Sequence, residues 1–352
     1  MRIYTLLILL IIISGNRLLG QDSSIQFYQH TLRELEQLAT NPYKGSFKRA
    51  VFITENAYNR NRLSETEFNN NILLLTTLAT GFAQANRIPD YRYEDSVNLI
   101  NNFALYKLLK DTITVQLSNG ESLLTRAYAY DFNDFFGRSD WNNMSVTKLL
   151  ATHSGNCHSL PYLYKILADE IGTACWLSLA PNHIYIKNRC KRYGWYNTEL
   201  TSGSFPIDAW IMGSGYIPLE AIQNGIYMDT LSNQQSIALC MLDLAKGYEQ
   251  QTRNYDDGFI IKCCDLSLSY FPLNVQALLL KAETLKRNYT GGKTKNMSDA
   301  RDTYAQMEGL YVQLVSLGYR EMPAKMYRDW LKEVNKEKYS NQRLKTTLTG
   351  NK

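Results

Sequence analysis

The stretch His153-Ser154-Gly155-Asn156-Cys157-His158-Ser159-Leu160-Pro161 is followed by Ala180-Pro181-Asn182-His183-Ile184-Tyr185-Ile186 and then by Tyr193-Gly194-Trp195-Tyr196-Asn197-Thr198-Glu199-Leu200-Thr201. Leu160, Leu163, Leu167 and Ile171 recur at helical spacing after the cysteine, which predicts an amphipathic helix with a thiol at its N-terminus. Helix N-termini present unpaired N–H groups and positive potential, so the nucleophilic thiolate is favoured there. Pro161 suits a first helical turn, whose N–H groups have no intrahelical partners. His183 heads an alternating run that predicts a half-buried strand, and a second strand through Trp195–Leu200 brings up Glu199. Nucleophile, base and orienting acid then follow one another along the chain.

Gly155-Asn156-Cys157, the His183 strand and Gly194-Trp195…Glu199-Leu200-Thr201 together resemble the core of the transglutaminase-like superfamily, a branch of the papain-like cysteine enzymes. The resemblance covers a quarter to a third of the chain. It implies an α+β papain/transglutaminase-like core, a helix packed on a small antiparallel sheet. Cys157 is then the nucleophile, His183 the base and Glu199 the orienting acid. The family usually has Asp in the third position, so Asp208, in Pro206-Ile207-Asp208-Ala209-Trp210, stands as the alternative acid. The implied chemistry is acyl transfer from an amide or ester of a protein or peptide substrate, by a peptidase, deamidase or transamidase. The competing expectation is a catalytically silent scaffold of the same fold. A third reading, an unrelated buried Cys and strand His, must explain why all three residue types fall in order.

Upstream, 111–117 alternates, Ser118-Asn119-Gly120 reads as a turn and 123–130 alternates again, which predicts a hairpin. Between it and the nucleophile lies Asp131-Phe132-Asn133-Asp134-Phe135-Phe136-Gly137, then Asp140-Trp141-Asn142-Asn143-Met144. An upstream segment often lines the cleft in papain-like folds. Trp141, Asn142 and Asn143 are therefore the candidate donors for a developing oxyanion. Asp131, Asp134 and Asp140 lack the acidic spacing of a calcium loop and read better as a solvated turn. His153 and His158 flank Cys157 as alternative bases, and a forced zinc set of Cys157 with the histidines is disfavoured. No cofactor or metal is expected.

Residues 21–110 read as packing helices, with a capping box at Ser64-Glu65-Thr66-Glu67 and a stop at Asn41-Pro42. Before them, Met1-Arg2 and an apolar run from Ile3 to Ile13 resemble a secretory signal. The run is too short for the ~20 residues that span a bilayer. Cleavage between Gly20 and Gln21 would make the mature protein periplasmic or secreted. The formal net charge is +5, and the segment 1–20 carries two of those positive charges, Arg2 and Arg17, leaving +3. The rest are interleaved with acids, so a nucleic-acid surface is not expected.

Division of the chain gives 1–20 as signal, 21–110 as N-terminal helices, 111–232 as the transglutaminase-like domain, 233–338 as helices and 339–352 as a polar tail. Gly213, Gly215 and Pro218 are read as a closing loop. Met241, Leu244, Ala245 and Tyr248, then Pro272 to Ala282, resemble tetratricopeptide helices. They predict pairs 236–250 with 256–270 and 274–287 with 298–317, offering a surface for a peptide partner. Six cysteines in an exported chain invite disulfides, with Cys175 and Cys190 as a possible bridge.

Overall fold

The structure, a computed structural model, describes residues 25–41, 46–116, 120, 122–293, 297–323 and 325–332. The expected signal segment 1–20, its cleavage point and the tail 339–352 lie outside the described residues. The chain is mostly helical, with small sheets and a helical C-terminal region. Among the described residues no helix is long and apolar enough to cross a membrane.

Two compact units interleave along the chain. The first comprises residues 1–63, 233–272 and 276–307. Its described elements include α1 (25–40), α2 (Phe47–Tyr58), α9 (Asn233–Thr252), α10 (Phe259–Tyr270), most of α11 (Val275–Thr290) and the start of α12 (Met297–Ser316). Helix α9 packs against α10 and α2. Tyr28 meets Tyr248 edge-on at 5.1 Å and Phe259 at 5.9 Å. Every strand assigned among the described residues lies before residue 233, so 236–317 carries none.

The second unit comprises residues 64–232, 273–275 and 308–352. It opens with α3 (Glu65–Ala85), whose N-cap Ser64 accepts from the Glu67 N–H at 3.2 Å, and continues through α4 (Ser96–Lys110). The hairpin is β1 (Ile113–Gln116) with β2 (Ser122–Thr125), antiparallel, pairing Ile113 with Thr125. Contrary to the sequence reading, the second strand does not run on to Tyr130. Instead β3 (Ala129–Tyr130) leaves the hairpin and pairs in parallel with β4 (Ser154–Gly155), setting Tyr130 opposite the residue two before Cys157.

After α5 (Val146–Thr152) and β4 comes α6 (Ser159–Glu170), whose residues from Ser159 through Ala168 are all buried. Helices α4 and α5 and the strands β5 (Trp176–Ala180) and β6 (His183–Cys190) pack around it, and β7 (Gly194–Thr198) completes an antiparallel sheet in the order β5-β6-β7. The expected loop is present as 215–218, between two short helices, α7 (Asp208–Ser214), which takes in Gly213, and α8 (Leu219–Gln223). Ile211 and Ala221 anchor them in the core; a short apolar segment can stay helical around a Gly when packing outweighs propensity. A last helix, α13 (325–332), closes the described chain. All six cysteines are buried and unbridged, so the Cys175–Cys190 disulfide does not form. Burial alone accommodates them, since an unpaired Cys packs as a small hydrophobe.

Candidate active site

Cys157 lies just ahead of α6, one residue before the N-cap His158. Asn156, fully buried, holds this entry: its Oδ1 accepts the N–H groups of His158 at 2.9 Å and Ser159 at 3.1 Å. Its Nδ2 donates to the Phe135 carbonyl at 3.0 Å. Gly155 is needed sterically, because a Cβ there would lie 2.3 Å from Ser159 Oγ and 2.8 Å from Leu149 Cδ1.

His183 follows a β5–β6 turn in which Asn182 takes φ 57°, a left-handed position that Asn tolerates. The strand register pairs Ile186 with Thr198; carried past the end of β7, it sets Thr201 opposite His183. Glu199, two residues before Thr201, shares that face as a diagonal neighbour. His183 Nε2 and Glu199 Oε2 are 2.5 Å apart, both residues buried. Glu199 Oε1 accepts from the Thr201 N–H at 2.7 Å. Lys110 Nζ donates to the Leu200 carbonyl at 2.7 Å, and the Tyr106 hydroxyl to the Gly203 carbonyl at 2.5 Å, which pins the loop after β7.

The thiol of Cys157 lies 3.7 Å from the Asn182 carbonyl and 3.2 Å from the Tyr327 hydroxyl. Tyr327 in turn lies 3.4 Å from the Tyr130 hydroxyl. Burial alone would push the Cys157 thiol up. Hydrogen bonding and charge from His183, together with the two tyrosines, outweigh burial and hold the thiol below its ordinary value. Burial does prevail at Cys175 and Cys264, each pushed up to about 12, and at Cys240 and Cys263. Burial opposes the charged imidazole too, yet Glu199 and Cys157 raise His183 to about 10. For Glu199 burial again raises, but the charge of His183 prevails and lowers it. The three shifts therefore run in the directions of thiolate, imidazolium and carboxylate. His183 Nδ1 has no aligned hydrogen-bond partner, although the imidazole acts on the thiol. Such nucleophile–base bonds are often loose without substrate.

The alternative acid does not reach the histidine. Asp208 starts α7, accepts from Asn197 Nδ2 at 2.7 Å and lies 3.6 Å from Lys187 Nζ, with its side chain more than half exposed. The candidate oxyanion donors sit in a 3₁₀ turn, Trp141–Met144. Asn143 is buried and spends its amide on the Asp134 carbonyl and carboxylate at 2.9 and 3.3 Å, so it braces the loop. Asn142 bonds back to Asp140 at 3.1 Å, and Trp141 is half-buried. Asp134 also gathers the N–H groups of Arg138, Ser139 and Asp140. Among the described residues no group of side chains is arranged to hold a metal ion. His158 donates through Nδ1–H to the Met144 carbonyl, 2.8 Å away, and His153 caps α5 while stacking on Tyr128 at 4.6 Å.

Sequence reasoning missed the cover over this site. Tyr327 and Trp330 come from α13: Trp330 meets His183 edge-on at 5.0 Å, and Tyr327 stacks on Phe136 at 5.2 Å. What remains beside His183 and Glu199 is a cavity of ≈ 20 Å³ bordered by Trp210, Ile211, Met322, Tyr327 and Trp330. That is room for about one water. The Trp330 indole N–H is buried without a protein partner, a cost of about 1–3 kcal/mol for such a group. The aromatic spacing Tyr327–Trp330 is the one signal in the sequence, and it is indistinguishable there from core packing.

No family model and no curated protein matches the chain. A solved structure matches in part: the crystal structure of menin that reveals the binding site for Mixed Lineage Leukemia (MLL) protein. It is 10% identical over 80% of this chain and 70% of that one, with a TM-score of 0.37. A likeness so slight does not define a shared fold.

Proposed function

We propose that the protein is a thiol acyl-transfer enzyme of the transglutaminase-like, papain-like type, acting on an amide or ester carbonyl of a protein or peptide. The observation that carries the reading is the contrast among buried thiols: Cys157 is held below its ordinary value beside a His183 bound to Glu199, while burial raises Cys175, Cys240, Cys263 and Cys264.

The chemistry follows from that charge pattern. The Cys157 thiolate attacks the carbonyl carbon and forms the S–C bond. Collapse breaks the C–N or C–O bond, and the His183 imidazolium gives its proton to the departing amine or alcohol. Water or a second amine then attacks the thioester, losing its proton to His183, and the thiolate leaves. Glu199 keeps the imidazole oriented and stabilises its charged form throughout. The donor set offers one thiol, one imidazole and one carboxylate, the last two hydrogen-bonded to each other.

A second reading has its own support. Cys157 is only 8% exposed and the Tyr327 hydroxyl lies 3.2 Å from its thiol, as in a transglutaminase-like scaffold that no longer turns over. Release of product from an ester or amide peptide library by the wild type, and its loss in Cys157→Ala, tests the enzyme. Labelling of Cys157 with no turnover of any acyl donor would leave the scaffold. We further propose that the tetratricopeptide-like helices α9–α12 carry a peptide partner and that the chain is exported. Binding by a variant lacking exposed charges on α11 and N-terminal sequencing of mature material check these two points.

A further inference from the structure

A second cavity lies among α3, α4, α5 and β2, and it shares no residue with the thiol site. Its volume is ≈ 390 Å³, within the ~300–1,000 Å³ usual for pockets that take small ligands. Leucines line it: Leu74, Leu75 and Leu78 from α3, Leu108 from α4, Leu124 from β2 and Leu150 from α5. Leu75, Leu78, Leu108 and Leu150 are buried and belong to the core. Leu74 and Leu124 stay 48% and 57% exposed, one on a helix and one on the hairpin that border the cavity. A single exposed leucine is ordinary, but two on the walls of one cavity leave apolar surface in water that a ligand would cover.

One part of the wall is basic. Arg126 and His153 both line the cavity, and none of its described lining residues is acidic. Neither side chain makes a hydrogen bond or ion pair among the described residues. They are near enough to feel each other: burial first, then the charge of Arg126, lowers His153. The backbone here is pinned. The Tyr128 N–H donates to the Leu109 carbonyl at 2.8 Å and the Ala129 N–H to the His153 carbonyl at 2.8 Å, while the Tyr128 ring stacks on the imidazole.

These features select the ligand. A guanidinium without a protein partner is a fork for a carboxylate or a phosphate. With His153 held toward its neutral form, the wall offers one full positive charge and an imidazole N–H. That matches a carboxylate better than a phosphate monoester, which carries about −1.5 to −2 at neutral pH. Tyr128 and His153 already stack on each other, so the surface left for a tail is leucine, and an aliphatic chain suits it.

We propose that this cavity binds a single-chain aliphatic carboxylate, a fatty acid, with its head on Arg126 and His153 and its tail along the leucines. The site is independent of the thiol chemistry and stands whether or not Cys157 turns over an acyl donor.

The test is calorimetric titration of the full chain with dodecanoate, kept below its micelle threshold. The wild type should take it up saturably. Arg126→Gln should weaken binding by about tenfold or more, equal to ~1.4 kcal/mol, the scale of a lost hydrogen bond to a charged group. Leu74→Asp and Leu124→Asp, both at exposed positions, should each abolish it, with circular dichroism reporting the fold. Dodecyl phosphate should bind more weakly than dodecanoate, and dodecyltrimethylammonium should not bind. No saturable uptake by the wild type, equal affinity in Arg126→Gln, unchanged binding in the folded aspartate variants, or tighter binding of dodecyl phosphate or of the cation overturns the proposal. Should the aspartate variants unfold, the wild type decides: dodecanoate should slow amide exchange across 71–78 and 124–128, and unchanged exchange there overturns the site.

Discussion

Glu199 Oε2 sits 2.5 Å from His183 Nε2 in a buried setting, and this contact selects Glu199 over Asp208 as the partner of the imidazole. Its extra methylene reaches from the loop beyond β7, where Thr201 and the Lys110–Leu200 bond hold the backbone. Replacement by glutamine keeps the shape and removes the charge. Turnover should fall by up to about 10⁴-fold, the scale of the equivalent change in the serine triad. Asp208→Asn should leave turnover near wild type, measured on the same ester.

The same pair sets a pH window for stability. Glu199 is lowered, so its contribution is complete above the unfolded carboxyl value of ~4.3 and disappears as pH falls through its folded value. His183 is raised to about 10, so its contribution is complete below ~6.5 and disappears as pH rises toward about 10. The stability gap between wild type and Glu199→Gln should therefore be widest near pH ~5–6. It should reach about 3–5 kcal/mol, as for a broken buried pair. Urea titrations across pH check it, and a gap that grows above pH ~9 would contradict the assignment.

Cys157 should be the first thiol labelled at mildly acidic pH. Cys175 and Cys264, both at about 12, should stay unlabelled there. His183→Ala should abolish the selectivity. His153→Ala should leave most of it, since His153, the C-cap of α5, stacks on Tyr128. Peptide mass mapping after timed iodoacetamide treatment reads both.

Gly155→Ala should destabilise the folded chain by about 1–3 kcal/mol, the usual range for overpacking a tight core. The added carbon meets Ser159 Oγ and Leu149 Cδ1 at 2.3 and 2.8 Å. Because Ser159 Oγ accepts the Asn156 N–H at 3.0 Å, the shift should also slow Cys157 labelling. A variant as stable as wild type would show that the entry to α6 relaxes freely.

Asn156→Ala should cost more than the loss of an exposed cap. It strands the buried N–H groups of His158 and Ser159, at about 1–3 kcal/mol for each unsatisfied group. Asn156→Asp should recover much of that loss, because the carboxylate accepts both bonds. Thermal unfolding of the two variants compares them.

The parts of this molecule that were legible in the sequence are those whose signals are local. The helical spacing from Leu160 to Ile171 predicts α6. The alternation after His183 predicts β6, and the Ser64 box predicts the start of α3. The Cys157, His183 and Glu199 positions are legible because each sits at an element's end. Tyr327 is not, since it reaches the thiol from 170 residues along the chain and carries no motif. The oxyanion reading of Asn143 was overtaken by Asp134, whose demand for donors periodicity does not reveal. The extended strand to Tyr130 fails for a related reason: its parallel partner, Gly155, lies beyond the intervening loop and helix. Gly215 and Pro218 are the breakers they look like, one the C-cap of α7 and the other the N-cap of α8, while Gly213 stays helical beside the buried Ile211. The interleaving of 1–63 with 233–272 is invisible to any division that cuts the chain into consecutive pieces.

Asp134 converts an aperiodic stretch into a rigid wall. Its carboxylate receives the N–H groups of Arg138, Ser139 and Asp140. Burial would raise it, but those bonds hold it below the ordinary carboxylate value, so the clasp persists well into acid. The backbone of Phe135 and Phe136 is therefore ordered by folding itself, with conformational entropy surrendered once and in advance. A guest that packs against those rings, as Tyr327 does, meets a surface that has nothing left to freeze. Discrimination there falls to the shape of the guest rather than to its power to organise the host.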